Sequence, residues 1–137
     1  MDNNLRNPNI KEAIEDLRVI ASHGKDAWEH LKYHEYQTHS QDWKETTKRE
    51  LSWNEFVAIP ETMAKQQRLE ICTYIYPDLG GDDRVVWGFF KKHLNHLGLR
   101  LNYVFVAIDA KAGTIVHCMR ARKKYASQQR DFQKVRN

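Results

Sequence analysis

The spacing of apolar residues predicts helices in the first half of the chain. Ile10, Ile14 and Leu17 recur about one helical turn apart, and charged residues occupy the opposite face. Pro8 suits the first position of a helix, and Gly24 is a natural end point. The pattern therefore predicts a first helix between Pro8 and Gly24.

Further helical segments are predicted before the sequence pattern changes, and one of them is a short segment with Trp43 that Ser40 can cap. A polar segment that Asp26 can cap carries Trp28 on a thin apolar stripe. Ser52 and Glu55 have the spacing of a capping box, in which a hydroxyl and a carboxylate satisfy backbone donors at a helix start. The apolar run that follows ends at Pro60 and fits either a helix or a short extended segment.

Apolar runs in the second half predict a strand, a helix and a hairpin. The strand spans Leu69–Tyr76 and is apolar on both faces, so we expect it to be covered on both sides. The helix spans Arg84–Leu97 and ends at Gly98. The hairpin joins Leu101–Asp109 to Thr114–Arg122 through a short turn. The apolar stripe of the predicted helix consists of Val86, Phe89, Phe90, His93, Leu94 and Leu97.

These elements predict an α+β fold with a three-stranded, mainly antiparallel sheet. The elements follow one another in the order strand–helix–strand–strand. We expect the sheet to pack on helix Arg84–Leu97 and the N-terminal helices to cover the other face or one end. We expect one domain over residues 1–137, with a mainly helical portion at 1–66 and a sheet-and-helix core at 67–122. A basic, weakly amphipathic helix or tail is expected at 123–137.

Composition and cysteine usage indicate a globular protein of a reducing compartment. Hydrophobic residues are 41% of the chain and charged residues 29%, which argues against disorder. No apolar run reaches membrane-spanning length, and the N-terminus has no apolar signal region, so we expect a cytoplasmic, non-membrane protein. Cys72 and Cys118 lie in predicted strands and are expected to be buried thiols; a disulfide between neighbouring strands is the alternative.

The charge of the chain is unevenly distributed. Residues 1–60 carry 8 basic and 11 acidic residues, whereas residues 61–137 carry 14 basic and 7 acidic residues. Such an asymmetry is compatible with an anionic partner, because basic side chains neutralise phosphates and interleaved aromatic rings stack on bases. The alternative is a solvated strand end and tail. The candidate nucleic-acid-binding residues are Arg120, Arg122, Lys123, Lys124 and Arg130.

The histidine-rich segment does not predict a metal site. His30 and His34 are four residues apart and would lie on the same face of a helix, as metal ligands often do. His34 and His39 resemble a zinc-protease motif, but three residues separate Glu35 from His39 where that motif has two. We therefore expect surface histidines here and no bound metal.

The remaining polar clusters also lack the spacing of a catalytic site. Asp78, Asp82 and Asp83 surround two glycines, but calcium-loop spacing is absent and no phosphate-loop lysine follows. We interpret these aspartates as a helix cap and a solvated turn. No serine, threonine or cysteine stands in a nucleophile-elbow context. The sequence thus predicts no catalytic residue and no cofactor.

The sequence leaves two main classes of function, an interaction module and a nucleic-acid-binding protein, and the expected sheet edges favour the interaction module. A small sheet leaves unpaired strand edges, which must be covered, charged or paired with another chain. We therefore expect a non-catalytic interaction module that forms a homodimer or binds a protein partner. The alternative is a nucleic-acid-binding accessory protein that uses the basic C-terminal stretch. A small hydrolase or metal-dependent enzyme is the least supported class.

Overall fold

The computed structural model describes residues 9–28, 32–77, 83–95, 97 and 102–135. The helices of this part of the chain are α1 (Ile10–Ala21), α2 (Lys32–Thr47), α3 (Trp53–Val57), α4 (Ile59–Ala64) and α5 (Lys123–Ser127). A 3-10 turn, Gly24–Ala27, follows α1. The strands are β1 (Glu70–Pro77), β2 (Asp83–Lys91), β3 (Tyr103–Asp109), β4 (Thr114–Ala121) and β5 (Arg130–Val135).

The helices of the first half follow local signals in the sequence. The side chain of Asn9 accepts a backbone hydrogen bond in the first turn of α1. Ser52 and Glu55 form the predicted capping box at the start of α3. Pro60 lies in the first turn of α4, so this segment is helical rather than extended. Asp26 lies inside the 3-10 turn, so the expectation that it caps the second predicted helix, which carries Trp28, was wrong.

The five strands form one antiparallel sheet in the order β4-β3-β2-β1-β5. Strands β1 to β4 form a meander, in which each strand pairs with the next. The chain then continues through α5 and returns as β5, which pairs with the free side of β1. The outer strands of the sheet are therefore β4 and β5. The α+β class is confirmed, but the predicted three-stranded sheet was wrong.

The predicted helix Arg84–Leu97 was wrong because this segment contains β2, a central strand of the sheet. Val86 and Phe90 project to one face of the sheet, while Trp87 and Phe89 project to the other face. All four side chains are buried, since β2 lies between β1 and β3 with both faces covered. A strand buried on both sides is continuously apolar, so its residues also satisfy the spacing of an apolar helical stripe.

The predicted C-terminal helix was also wrong beyond its first turns. α5 ends at Ser127, and the next described element is the strand β5. Asp131 has a positive φ of 56°, which is a left-handed conformation and incompatible with a continuing helix. β5 pairs with β1 from Ile71 opposite Val135 to Ile75 opposite Arg130. Pairing with an open strand edge thus prevails over the weak helical pattern.

Two apolar cores lie on opposite faces of the sheet. The helix face packs against the N-terminal helices, with Leu17, Trp43, Phe56 and Met63 facing Trp87, Phe89, Val106 and Ile108 in one cluster. The opposite face, which we call the α5 face, is covered by α5. Its cluster contains Cys72, Tyr74, Val86, Phe90, Phe105 and Ala107 together with Ala126, Tyr125 and Phe132.

A glycine in β2 gives the α5 face room for an aromatic ring. A Cβ atom at Gly88 would lie 2.6 Å from Cε1 of Phe105 and 3.1 Å from Sγ of Cys72. Phe105 is fully buried, and its ring centroid lies 4.5 Å from that of Phe90 and 5.6 Å from that of Tyr125. The ring of Phe105 therefore fills the space that a side chain at position 88 would need.

Among the described helices, none is long and apolar enough to cross a membrane.

Candidate functional site

Three of the five predicted nucleic-acid-binding residues contact acidic or carbonyl groups within the fold. Nη1 of Arg120 on β4 donates a hydrogen bond to the carbonyl oxygen of Asp42 at 3.0 Å. Nζ of Lys123 lies 2.7 Å from Oε1 of Glu70, and Nη1 of Arg130 lies 2.6 Å from Oδ2 of Asp83. These contacts reduce the positive charge that the three residues can offer to a phosphate.

The other two predicted residues are more available to a partner. Arg122 precedes the first turn of α5, and Lys124 lies within that turn; both side chains are exposed. Neither side chain forms an ion pair with another residue of the described ranges. Lys134 on β5 is also exposed and without such a pair. The structure therefore does not gather all five predicted residues into one free basic surface, but it places one of them, Lys124, beside the same cavity as Lys134.

These lysines border a cavity of about 420 Å³, which we call the α5 cavity, between β1, α5 and β5. Its walls include the apolar side chains of Cys72, Phe90 and Phe132, which belong to the core of the α5 face. Sites for small molecules have volumes of about 300–1,000 Å³ and are lined mainly by apolar and aromatic side chains with a few polar groups. The α5 cavity has this size and this lining.

The charged groups that line the α5 cavity are predominantly basic. They are Glu70, Lys123, Lys124 and Lys134. Glu70 and Lys123 form an ion pair, so their charges largely cancel. The second carboxylate oxygen of Glu70, Oε2, is buried and has no hydrogen-bond partner among the described residues. The net positive charge at the cavity thus comes from Lys124 and Lys134.

A second polar cluster lies at the outer edge of β4, where α2 packs against the sheet. Oε1 of Glu35 accepts a hydrogen bond from the backbone N–H of Cys118 at 3.2 Å and lies 3.2 Å from Nδ1 of His117. Nε2 of His39 lies 3.4 Å from the same oxygen, and its Nδ1 lies 3.7 Å from Oδ2 of Asp42. We call Glu35, His39, Asp42 and His117 the edge cluster.

The histidines of the edge cluster keep Glu35 ionised. Burial alone would raise the pKa of Glu35, but hydrogen bonds from His117 and His39, and the charges of these residues, lower the pKa to about 2. The hydrogen bond to Glu35 raises the pKa of His39 above its usual value, although partial burial opposes this. Since the carboxylate also accepts from Cys118, the cluster fixes α2 against the backbone of β4.

The second ring nitrogen of His117 faces aromatic side chains. Because Nδ1 lies against a carboxylate, the hydrogen bond to Glu35 places a proton on Nδ1. Nε2 is buried without a partner in the described part of the chain. The His117 ring packs edge-on against Tyr76 and Tyr125, at centroid distances of 5.0 Å and 6.3 Å. A carboxylate–histidine pair of this kind is the arrangement of a general base.

The described residues offer this histidine no activated nucleophile. Both cysteines are free and buried, which confirms the predicted buried thiols and not the predicted alternative of a disulfide. Burial raises the pKa of Cys72 to about 12 and that of Cys118 well above its usual value. A thiol must ionise to act as a nucleophile. The hydroxyl of Tyr74 is buried without a described partner, and burial also raises the pKa of Tyr74.

Most histidines and aspartates that drew attention in the sequence do not meet in the described structure. His30, Asp78, Asp82 and the side chain of His34 lie outside the described residues. His39 is half-buried in the edge cluster rather than on the surface, and His93 is exposed rather than part of a core. No three His, Cys, Asp or Glu side chains among the residues described could hold a metal ion together.

Sequence reasoning missed His117 and the α5 cavity. Glu35 and His39 are one helical turn apart, which is a visible signal for a pair. His117 is 82 residues from Glu35, so only the packing of α2 on β4 brings them together.

No protein-family model, no curated protein and no solved structure matches this chain.

Proposed function

We propose that this protein is a non-catalytic interaction module that extends its sheet by pairing β5 with β5 of a second copy. The observation that supports this proposal is the unequal covering of the two sheet edges. At β4, Glu35 accepts from the backbone of Cys118, and Trp28 forms a parallel bridge with Ile115. At β5, the described residues provide a pairing partner on one side alone, which is β1. An exposed strand edge is a template for adding another strand.

The side chains of β5 favour one register for this pairing. A two-fold axis between antiparallel strands brings equivalent faces of two sheets side by side. Phe132 and Lys134 both line the α5 cavity, so they share one face. A register centred on Gln133 places Phe132 of each copy opposite Lys134 of the other, a favourable cation–aromatic pair. A register centred on Phe132 would instead oppose Arg130 and Lys134, which have like charges.

The same side chains limit the strength of the contact. β5 has six residues, of which Arg130, Asp131 and Lys134 are charged. Short, charged edge strands resist uncontrolled association. We therefore expect a defined homodimer at micromolar concentration, which buries more than about 1,000 Å² in total if helices near the edge also contribute.

Cross-linking across the two-fold axis tests this proposal. Gln133 is exposed, and Gln133→Cys places a thiol at the centre of the proposed register. The two native thiols are buried, so they contribute little background. Mild oxidation should convert Gln133→Cys to a covalent dimer, whereas Lys111→Cys, in the exposed β3–β4 turn, should form no covalent dimer. Absence of a cross-link, together with the mass of one chain in light scattering at all concentrations, would refute self-pairing.

Nucleic-acid binding is a second candidate, supported by the exposed side chains of Arg122, Lys124 and Lys134. Three phosphate contacts on duplex DNA give a slope of about −2.7 in a plot of log affinity against log salt. Replacing Arg122 and Lys124 by alanine should reduce that slope by about 1.8, equally for every sequence. If neither duplex nor single strands bind at low salt, this candidate is excluded.

A further inference from the structure

The α5 cavity has the shape and lining of a site for an apolar chain. Cys72 and Phe90 form its floor on the sheet, and Phe132 of β5 forms a side wall. Cys72 and Phe90 are almost fully buried, so the floor is part of the rigid core. At about 30 Å³ for each water-sized group, a volume of about 420 Å³ holds roughly 14 non-hydrogen atoms.

The charges beside this apolar volume favour an anionic head group. Lys123 is neutralised by Glu70 at 2.7 Å, whereas Lys124 and Lys134 are exposed and lack ion pairs with described residues. These two lysines come from different elements, α5 and β5, and both line the cavity. A carboxylate or phosphate between them would gain two charge-assisted hydrogen bonds without displacing an existing ion pair.

We propose that the α5 cavity binds a medium-chain amphiphile with an anionic head group. The chain lies between Cys72, Phe90 and Phe132, and the head group contacts Lys124 and Lys134. This inference goes beyond the proposed self-pairing and does not depend on it, because a single chain supplies every residue that lines the α5 cavity. Phe132 and Lys134 take part in both proposals. The shared chemistry is an apolar chain with one anionic group, and the sources are a free fatty acid or a lipid of a membrane surface.

Calorimetric titration with three ligands of equal chain length tests the proposal. Dodecanoate has the size of the cavity, 1-dodecanol lacks the charge, and dodecyltrimethylammonium reverses it; all are used below their micelle concentrations. We expect one dodecanoate to bind per chain about tenfold more tightly than dodecanol, as two partly exposed charge contacts allow. The cation should bind more weakly than dodecanol. Equal affinities for the three ligands, or no binding of dodecanoate, would overturn the proposal.

Variants separate the head-group contacts from the apolar wall. Replacing Lys124 and Lys134 by alanine should abolish the preference for dodecanoate over dodecanol, whereas Lys111→Ala, in the distant turn, should preserve it. Ser127 is exposed on α5 and lines the cavity, so Ser127→Trp should fill the cavity and abolish binding of both ligands. An unchanged circular dichroism spectrum verifies that Ser127→Trp is folded. Full binding to folded Ser127→Trp would place the ligand elsewhere and refute the proposed site.

Two further measurements identify the source of the ligand and separate the two proposals. Vesicles of anionic phospholipid and vesicles of neutral phospholipid are compared in a flotation assay. Binding of dodecanoate together with anionic vesicles supports a membrane lipid as the source, and binding of dodecanoate without vesicles supports a free fatty acid. Binding to anionic vesicles without binding of dodecanoate would show surface attraction outside the α5 cavity and overturn the proposal. The mass in light scattering, measured with and without dodecanoate, reports self-pairing separately. A monomer that binds dodecanoate therefore refutes self-pairing alone, and a dimer that does not bind it refutes the ligand alone.

Discussion

Removal of the charge of Glu35 should loosen α2 from β4. Glu35→Gln keeps an acceptor oxygen for the N–H of Cys118 but removes the negative charge that pairs with His117 and His39. The difference between the usual pKa of 4.5 and the lowered pKa of about 2 corresponds to about 3 kcal/mol of folding free energy. The side chain is 15% exposed, so solvent screens this interaction only weakly. We expect Glu35→Gln to lower the free energy of unfolding by up to this amount at neutral pH.

The pH dependence of the effect follows from the direction of the two pKa changes. Above pH 4.5 the carboxyl of Glu35 is ionised in both states, so its stabilisation is fully present. As the pH falls from 4.5 to 2, the unfolded chain takes up a proton that the folded protein does not, and the stabilisation is lost. The stabilisation by His39 has the opposite pH dependence. It is present below pH 6.5 and is lost as the pH rises through the raised pKa of His39.

Urea unfolding of wild type and Glu35→Gln, measured from pH 2 to pH 8, tests this reasoning. The difference in the free energy of unfolding should be largest between about pH 5 and 6.5, and should vanish near pH 2. Glu55→Gln is a matched control, because Arg49 also lowers the pKa of Glu55 to about 2, but at the surface. Added salt should weaken the Glu55 effect and spare the Glu35 effect. A constant difference across the whole pH range would refute the role of the histidines.

Three other predictions concern packing, capping and the thiols. Gly88→Ala should destabilise the protein by about 1–3 kcal/mol in urea unfolding, because its Cβ would overlap the buried ring of Phe105, and Phe105→Leu should partly rescue it. Ser52→Ala should cost about 1 kcal/mol in the same assay, because it breaks the capping box of α3; Ser127→Ala should have little effect. Cys72 and Cys118 should react with a thiol reagent at pH 8 only after unfolding, since burial raises the pKa of both; rapid labelling of the folded protein would contradict this.

Local signals in the sequence predicted those elements that depend on local interactions. The capping box of Ser52 and Glu55 depends on residues three apart, and it is present. The β3–β4 hairpin pairs residues from Tyr103 opposite Ala121 to Asp109 opposite Thr114, in agreement with the predicted turn. Asp109 accepts backbone hydrogen bonds from Lys111 and Ala112 within that turn. The capping box and the turn join residues that are close in sequence, so both can be predicted without knowledge of the fold.

The elements that were missed depend on their position in the sheet. β2 is apolar on both faces because it lies between two strands, and this position cannot be read from its own residues. Gly88 was a contrary signal, since a glycine inside an apolar run favours a strand with a close approach over a helix interior. β5 is polar and short, and it becomes a strand only because β1 offers an unpaired edge. Both candidate sites were missed for the same reason: the α5 cavity needs β5, and the edge cluster needs β4 beside α2.

The edge cluster and the proposed self-pairing are connected through the number of available sheet edges. A module with one open edge can form a closed pair with a second copy, because two-fold pairing uses that edge in both chains. If the edge of β4 were also open, β4 of one copy could pair with β5 of the next, and such head-to-tail contacts form open chains unless the rotation between copies closes a ring. Glu35 occupies the N–H of Cys118 on β4, while Trp28 bridges Ile115 on the same strand. Under the proposed self-pairing, the hydrogen bond from Cys118 to Glu35 closes part of the β4 edge and leaves the edge of β5 for extension.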